Sequence, residues 1–262
     1  MSNYVRQFSN RGLIISVIAV ILFAFILKKS VSSSNNVTSN TIDKTEIQEI
    51  VKNYILNNPD VIIASLEDMQ KRKIQEMKEK VSSLIQGKRP ELENSPNSPF
   101  FGNDKGDIVI VEFFDHNCGY CKKANNILNE IVAADEGVKV ILKPLPILGE
   151  SSEYAAKFAL SLYNTRPDKF KAFHNDMMNL SSFNKEALIN LCEKHELEYT
   201  AIEDGMDKPE VKDELQKIRD LAMEIEINGA PAFIINGEHY SGLLEYSRLQ
   251  DIIKNIRAKV KS

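Results

Sequence analysis

Three rhythms of apolar and polar positions run along this chain, and each predicts a different element. Residues 12–27 carry no charge and are flanked by Arg6 and Arg11 on one side and Lys28 and Lys29 on the other. A positive start followed by an apolar run at the extreme N-terminus reads as an export signal or a membrane anchor over residues 1–29. The run is near the lower limit for a spanning helix, and Ser30-Val31-Ser32 is a weak cleavage site. A buried helix of a soluble domain is the competing reading, which the position and flanks argue against. Residues 30–41 are rich in Ser, Asn and Thr and predict a flexible linker. Helical spacing then takes over in residues 42–87. Ile47, Ile50, Val51, Tyr54 and Ile55 share one face, Asn58-Pro59 interrupts, and Ile74, Met77, Val81 and Leu84 follow at heptad steps. Two helices are expected there, forming a stalk. Its stripe either pairs with copies of itself or packs on the domain that follows. Residues 88–104 hold Pro90, Pro96, Pro99 and Gly102 among polar residues and predict a second linker.

From about residue 105 the rhythm alternates between strand and helix. Residues 108–114 are almost continuously apolar and predict a buried strand. Ala124, Ile127, Leu128, Ile131 and Val132 mark an amphipathic helix, and Val138, Val140 and Leu142 a second strand parallel to the first. A helical stretch follows, with faces at Tyr154 to Tyr163, at Phe170, Phe173, His174 and Met177, at Leu188, Leu191 and Cys192, and at Val211, Leu215, Ile218, Ala222 and Ile225. Residues 232–235 return to strand, Asn236-Gly237 is a hairpin turn, and Leu249, Ile252, Ile253 and Ile256 give a closing helix. The fold class is therefore α/β, preceded by an α-helical region.

Composition narrows the function more than the fold. The 262 residues carry a net charge of −4, so no basic field points to nucleic acid. Three cysteines are too few for a disulfide scaffold. Two of them, Cys118 and Cys121, flank Gly119-Tyr120 where the first strand hands over to its helix. Free amides and the helix dipole favour a thiolate at that end. Cys121, one turn on, can attack a mixed disulfide formed at Cys118, so the pair can close and exchange a redox-active disulfide. Export would place it in an oxidising compartment. Half of a zinc site is a poor alternative, because the only other cysteine, Cys192, stands alone in sequence. A structural disulfide across so short a loop would contribute little. Binding of copper by the two thiols, or a tethered chaperone without redox chemistry, are the rivals from other classes.

The order of strand, Cys-x-x-Cys helix, strand, helical insertion, Gly229-Ala230-Pro231, hairpin and helix resembles the thioredoxin fold with the helical insertion of the DsbA-like family. Phe113-Phe114 through Cys121, Asn228 to Phe233, and an acid at Glu112 carry the resemblance, which covers residues 105–262. The helices before it resemble the stalk of trimeric members such as the suppressor-of-copper-sensitivity C proteins. The resemblance implies a periplasmic protein disulfide oxidoreductase with no cofactor beyond its own disulfide and no metal. Its partners would be unfolded or misoxidised exported proteins and a membrane redox partner, and residues 42–87 could build a homo-oligomer. Gly119-Tyr120 departs from the Pro-His usual in DsbA oxidases and matches the DsbC-type isomerases, so oxidase and isomerase both stand.

Individual roles follow. Cys118 is the expected nucleophile and Cys121 the buried resolving thiol. Glu112, an acid in an apolar strand, should have a raised pKa; by resemblance it lies beneath the disulfide and accepts the Cys121 proton. Lys143 on the neighbouring strand is its expected partner. Gly119 and Tyr120 would tune the thiolate. His116 would stabilise it as a cation or else be a solvated loop residue. By resemblance the Ala230–Pro231 bond is cis and faces Cys118, leaving the Ala230 backbone to pair with an extended substrate. Cys192 and His174 sit on apolar helix faces and read as structural.

Overall fold

The computed structural model describes residues 43–260. The expected signal or anchor and the linker that follows it lie outside these residues. Among the described residues no helix is long and apolar enough to cross a membrane.

The described chain divides into two compact units, one ending at Glu67 and one beginning at Asp68. The first holds helix α1 (Lys44–Asn57) and the start of α2 (Pro59–Gly87). Asp43 caps α1 by accepting from Thr45 N, and Asn58 with Pro59 ends it. No residue of α1 is buried. Ile47, Ile50, Val51, Tyr54, Ile55 and Leu56 all stand exposed.

The second unit is built on a five-stranded sheet of order β1-β3-β2-β4-β5. β2 (Ile108–Phe114) and β3 (Val138–Pro144) run parallel at its centre, joined through α4 (Gly119–Ala134). β4 (Ala232–Ile235) pairs antiparallel with β2, and β5 (Glu238–Ser241) with β4. The central strands are buried on both faces, which is why their sequences read as continuous apolar runs. One face carries Ile108, Ile110, Phe114, Val140 and Leu142. It packs on α4 and on the closing helix α10 (Tyr246–Val260). The insertion supplies Phe158 from α5 (Glu150–Thr165) and Phe170 and Phe173 from α6 (Pro167–Met178). It continues through α7 (Lys185–Lys194), α8 (Tyr199–Gly205) and α9 (Pro209–Glu224). The gap between the expected third and fourth faces, residues 193–210, hides α8, which is too short to show a period.

The opposite face of the sheet carries Val111, Phe113, Ile141 and Ile234, covered by Ile218 and Leu221 of α9 and by Ile85 of α2. The linker expected over residues 88–104 is corrected here. That stretch contains helix α3 (Arg89–Glu93) and edge strand β1 (Phe100–Gly102), which pairs antiparallel with β3. Leu92 and Phe101 are buried. Ser98 pins the stretch down, donating to Glu214 Oε1 at 2.7 Å and accepting from Lys143 Nζ at 2.7 Å. Prolines and polar residues made it look open; here Ser98 bridges two buried ionisable side chains. The heptad stripe divides in the same way. Ile74 and Met77 are exposed, whereas Val81 and Leu84 pack with the fully buried Ile85, one position off the stripe.

Candidate functional site

β2 ends at Phe114, and the next residue organises the site. Asp115 is buried, and its carboxylate accepts four hydrogen bonds. Asn117 N and Ser152 Oγ bind Oδ1 at 2.8 and 2.7 Å. Ile147 N and Leu148 N bind Oδ2 at 2.8 and 3.0 Å. The turn into α4 is thereby tied to the loop between β3 and α5. Four donors, two of them backbone amides of that loop, offset the cost of burying this side chain.

Cys118 follows as the N-cap of α4, half-buried, with no side chain capping the helix. Its Sγ donates to the Ala230 carbonyl at 3.5 Å. The Ala230–Pro231 peptide is cis, and Pro231 O accepts from Gly242 N at 2.9 Å, joining the loop to the end of β5. Cys121 lies one turn into α4 and is fully buried. Asp115 N donates to its Sγ at 3.5 Å. Burial, and then the nearby Glu112 and Cys118, hold the Cys121 thiol far above its ordinary pKa. The two sulfurs are free thiols in this structure. One is accessible beside a backbone acceptor and the other sealed in the core, the asymmetry that ordered attack and resolution require.

Glu112 occupies the same face of β2 as Phe114, toward Cys121, and is 1% exposed. Its Oε1 has no hydrogen-bond partner, and burial pushes its pKa up to about 8. The expected pairing with Lys143 does not occur. Glu112 stands opposite Leu142, and Phe113 opposite Lys143, so the lysine projects from the other face of the sheet. There it donates to Ser98 Oγ and to the Glu91 carbonyl. A stability slope follows from the lone acid. Its folded pKa lies above the ordinary 4.5, so the folded state holds a proton the unfolded state has released. Stability is then highest below about pH 4.5 and is lost as pH rises toward 8, at up to about 1.4 kcal/mol per pH unit. Melting curves of the parent and of Glu112→Gln between pH 5 and 8 should converge at the acid end and separate toward pH 8, the variant being flatter.

His116 is neither a cation nor a solvated loop residue. It is 1% exposed and packs edge-on against Phe114, His174 and Phe183. Burial, with the charge of Lys122 second, pushes its pKa down to about 3, so the ring is neutral. Neither ring nitrogen has a partner. Gly119 and Tyr120 are exposed on the first turn of α4. Tyr120, Ile147 and Leu148 leave large apolar side chains in solvent. His174 is buried beside His116, and Cys192 is buried in the core on α7, its thiol pushed up to about 11 by burial. Among the described residues no three His, Cys, Asp or Glu side chains group as metal ligands. Asp115, Ser152 and the amides of residues 147 and 148 were not foreseen; an aspartate ending an apolar strand, just before the cysteines, was the available signal.

Comparison with known proteins sets this geometry in context. Residues 109–254 match the profile of the DSBA-like thioredoxin domain, and residues 43–76 that of the copper resistance protein ScsC N-terminal domain. Disulfide bond formation protein D of Bacillus subtilis (strain 168) is 21% identical over 62% of this chain and 78% of its own. The thiol:disulfide interchange protein DsbA of Bordetella pertussis is 25% identical over 55% of this chain and 70% of its own. A thioredoxin-like oxidoreductase from Silicibacter pomeroyi DSS-3 is 34% identical, with TM-score 0.61 over 65% of this chain and 98% of that one. Proteus mirabilis ScsC in a compact conformation is 26% identical, with TM-score 0.62 over 84% of this chain and all of that one.

Proposed function

The chain belongs to the DsbA-like thioredoxin family, and from that premise we propose that it forms disulfide bonds in exported proteins through Cys118 and Cys121. The observation that carries this is the half-buried Cys118 sulfur at the N-cap of α4, 3.5 Å from the Ala230 carbonyl, above a sealed Cys121. In the reduced state, Cys118 attacks a disulfide as its thiolate and expels one sulfur. In the oxidised state, a substrate thiolate attacks Cys118 Sγ and Cys121 leaves as the thiolate, its proton coming from Glu112. The second substrate thiolate then attacks the mixed disulfide, releasing an oxidised substrate and reduced Cys118. An acid with pKa near 8 beside Cys121 is suited to holding or releasing that proton near neutral pH. The substrate backbone would lie along Ala230 as an added strand, with Tyr120, Ile147 and Leu148 as its apolar rim. A periplasmic location and reoxidation by a membrane partner complete the reading.

A second reading, an isomerase working as an oligomer, is favoured by Gly119-Tyr120 and by the exposed apolar face of α1 and the start of α2. The two separate on two substrates. Fast oxidation of a reduced unfolded protein, with little rescue of one with scrambled disulfides, is the result expected of the oxidase. Rescue in a reducing buffer, lost on deleting residues 43–67, the unit that leaves the sheet and its covering helices intact, would establish the isomerase instead.

A further inference from the structure

The loop that carries Ala230 and Pro231 begins where α9 ends, and that ending is unusual. Ile227 N donates to Ala222 O at 2.8 Å and Glu226 N to Met223 O at 3.1 Å. This double closure turns the chain out of the helix through one residue in the left-handed region, a position that favours glycine. Here it is Glu226, with φ of 60°. A glutamate in that conformation is strained, and it persists only where its surroundings hold it. What holds it is α2. Lys80 Nζ forms an ion pair with Glu226 Oε1. Lys88, the residue just after α2, reaches Glu224 at 2.6 Å. Ile85 is fully buried in one cluster with Ile225, Ile227 and Ala232, which flank the loop. A cavity of about 290 Å³ lies between residues 226–232 and His239 and Ser241 of β5.

We propose that the last turns of α2 position the substrate-binding loop, with Lys80 acting through Glu226 as the positioning pair that sets where Ala230 meets a bound peptide. This rests on the oxidoreductase reading above. The helix that leads out of the stalk would then be part of substrate recognition and not only a spacer. Glu196 supplies an internal control. It too sits left-handed after a helix, at φ 56°, but at the end of α7, paired loosely with Lys169 at 3.7 Å.

The test uses the full-length protein and two probes: a disulfide-containing peptide, and a small aromatic disulfide that needs no backbone pairing. Lys80→Glu should raise KM for the peptide about fivefold with kcat unchanged, the scale of one exposed ion pair reversed. Lys80→Arg should match the parent, and Glu226→Lys should restore Lys80→Glu. Glu226→Gly should raise Tm by about 2 °C, by relieving the left-handed residue, and still raise KM. Glu196→Gly should raise Tm without moving KM. Exchange of the parent and of the Lys80 variants with the small disulfide should be the same. An unchanged peptide KM in Lys80→Glu, or a KM that follows Tm across the set, would overturn the proposal while leaving the oxidoreductase reading intact. Failure of the parent to exchange with even the small disulfide would remove that reading, and this inference with it.

Discussion

Cys121→Ala should arrest exchange at a covalent complex, with the substrate held to Cys118 by a disulfide that nothing on the enzyme can resolve. The expectation follows from the split environment of the two sulfurs. Cys118 is reachable and lies against Ala230 O, while Cys121 is sealed against Phe114 and Glu112 with its thiol held far above its ordinary pKa. The converse variant, Cys118→Ala, leaves only that buried thiol. Exchange depends on the thiolate fraction and on access, and both are minimal at Cys121. Turnover of a disulfide substrate should fall at least about a hundredfold in either variant. Only Cys121→Ala should show a substrate adduct on a non-reducing gel, and the adduct should disappear on adding a reductant. An adduct in Cys118→Ala, or full activity in it, would reverse the assignment of nucleophile and resolving thiol.

The largest expected effect on stability comes from a residue that does no redox chemistry. Asp115→Ala removes the shared acceptor of Asn117 N, Ser152 Oγ, Ile147 N and Leu148 N. Stranding donors that the fold keeps out of water costs about 1–3 kcal/mol for each that stays buried. A net loss of about 3 kcal/mol is expected, or roughly 6–12 °C in Tm for a domain of this size. Asp115→Asn keeps one acceptor oxygen in place and should lose less. Because the same carboxylate ties the turn before Cys118 to the loop at residues 147 and 148, the alanine variant should also slow peptide oxidation. A thermal melt within about 1 °C of the parent would show that the four bonds contribute little.

The parts of the site that were legible in sequence are those set by local pattern. An apolar run broken by Glu112 marks a buried central strand whatever surrounds it. Cys118 at a strand-to-helix junction, and Pro231 at a strand start, keep their meaning without tertiary information. What stayed hidden depends on partners distant in the chain. The Glu112–Lys143 pairing failed by a single step of register, which in a strand moves a side chain to the other face. His116 read as polar and therefore exposed or charged, but Phe183 and His174, more than fifty residues on, close around it. α3 and β1 are too short to carry a period, and only Leu92, Ser98 and Phe101 meeting the sheet make them part of the domain. Ile85 lay outside the heptad stripe because the end of α2 answers to the sheet beneath it and not to a partner helix.

The central claim is that Cys118 and Cys121 form one reversible redox couple. The most direct measurement equilibrates the purified protein across a series of glutathione redox buffers, alkylates the free thiols and maps the label by peptide. The account predicts a single transition in which Cys118 and Cys121 lose label together and regain it on reduction, while Cys192 takes label only after unfolding. Cys118 and Cys121 remaining labelled in every oxidising buffer, or Cys192 joining the disulfide, would contradict it.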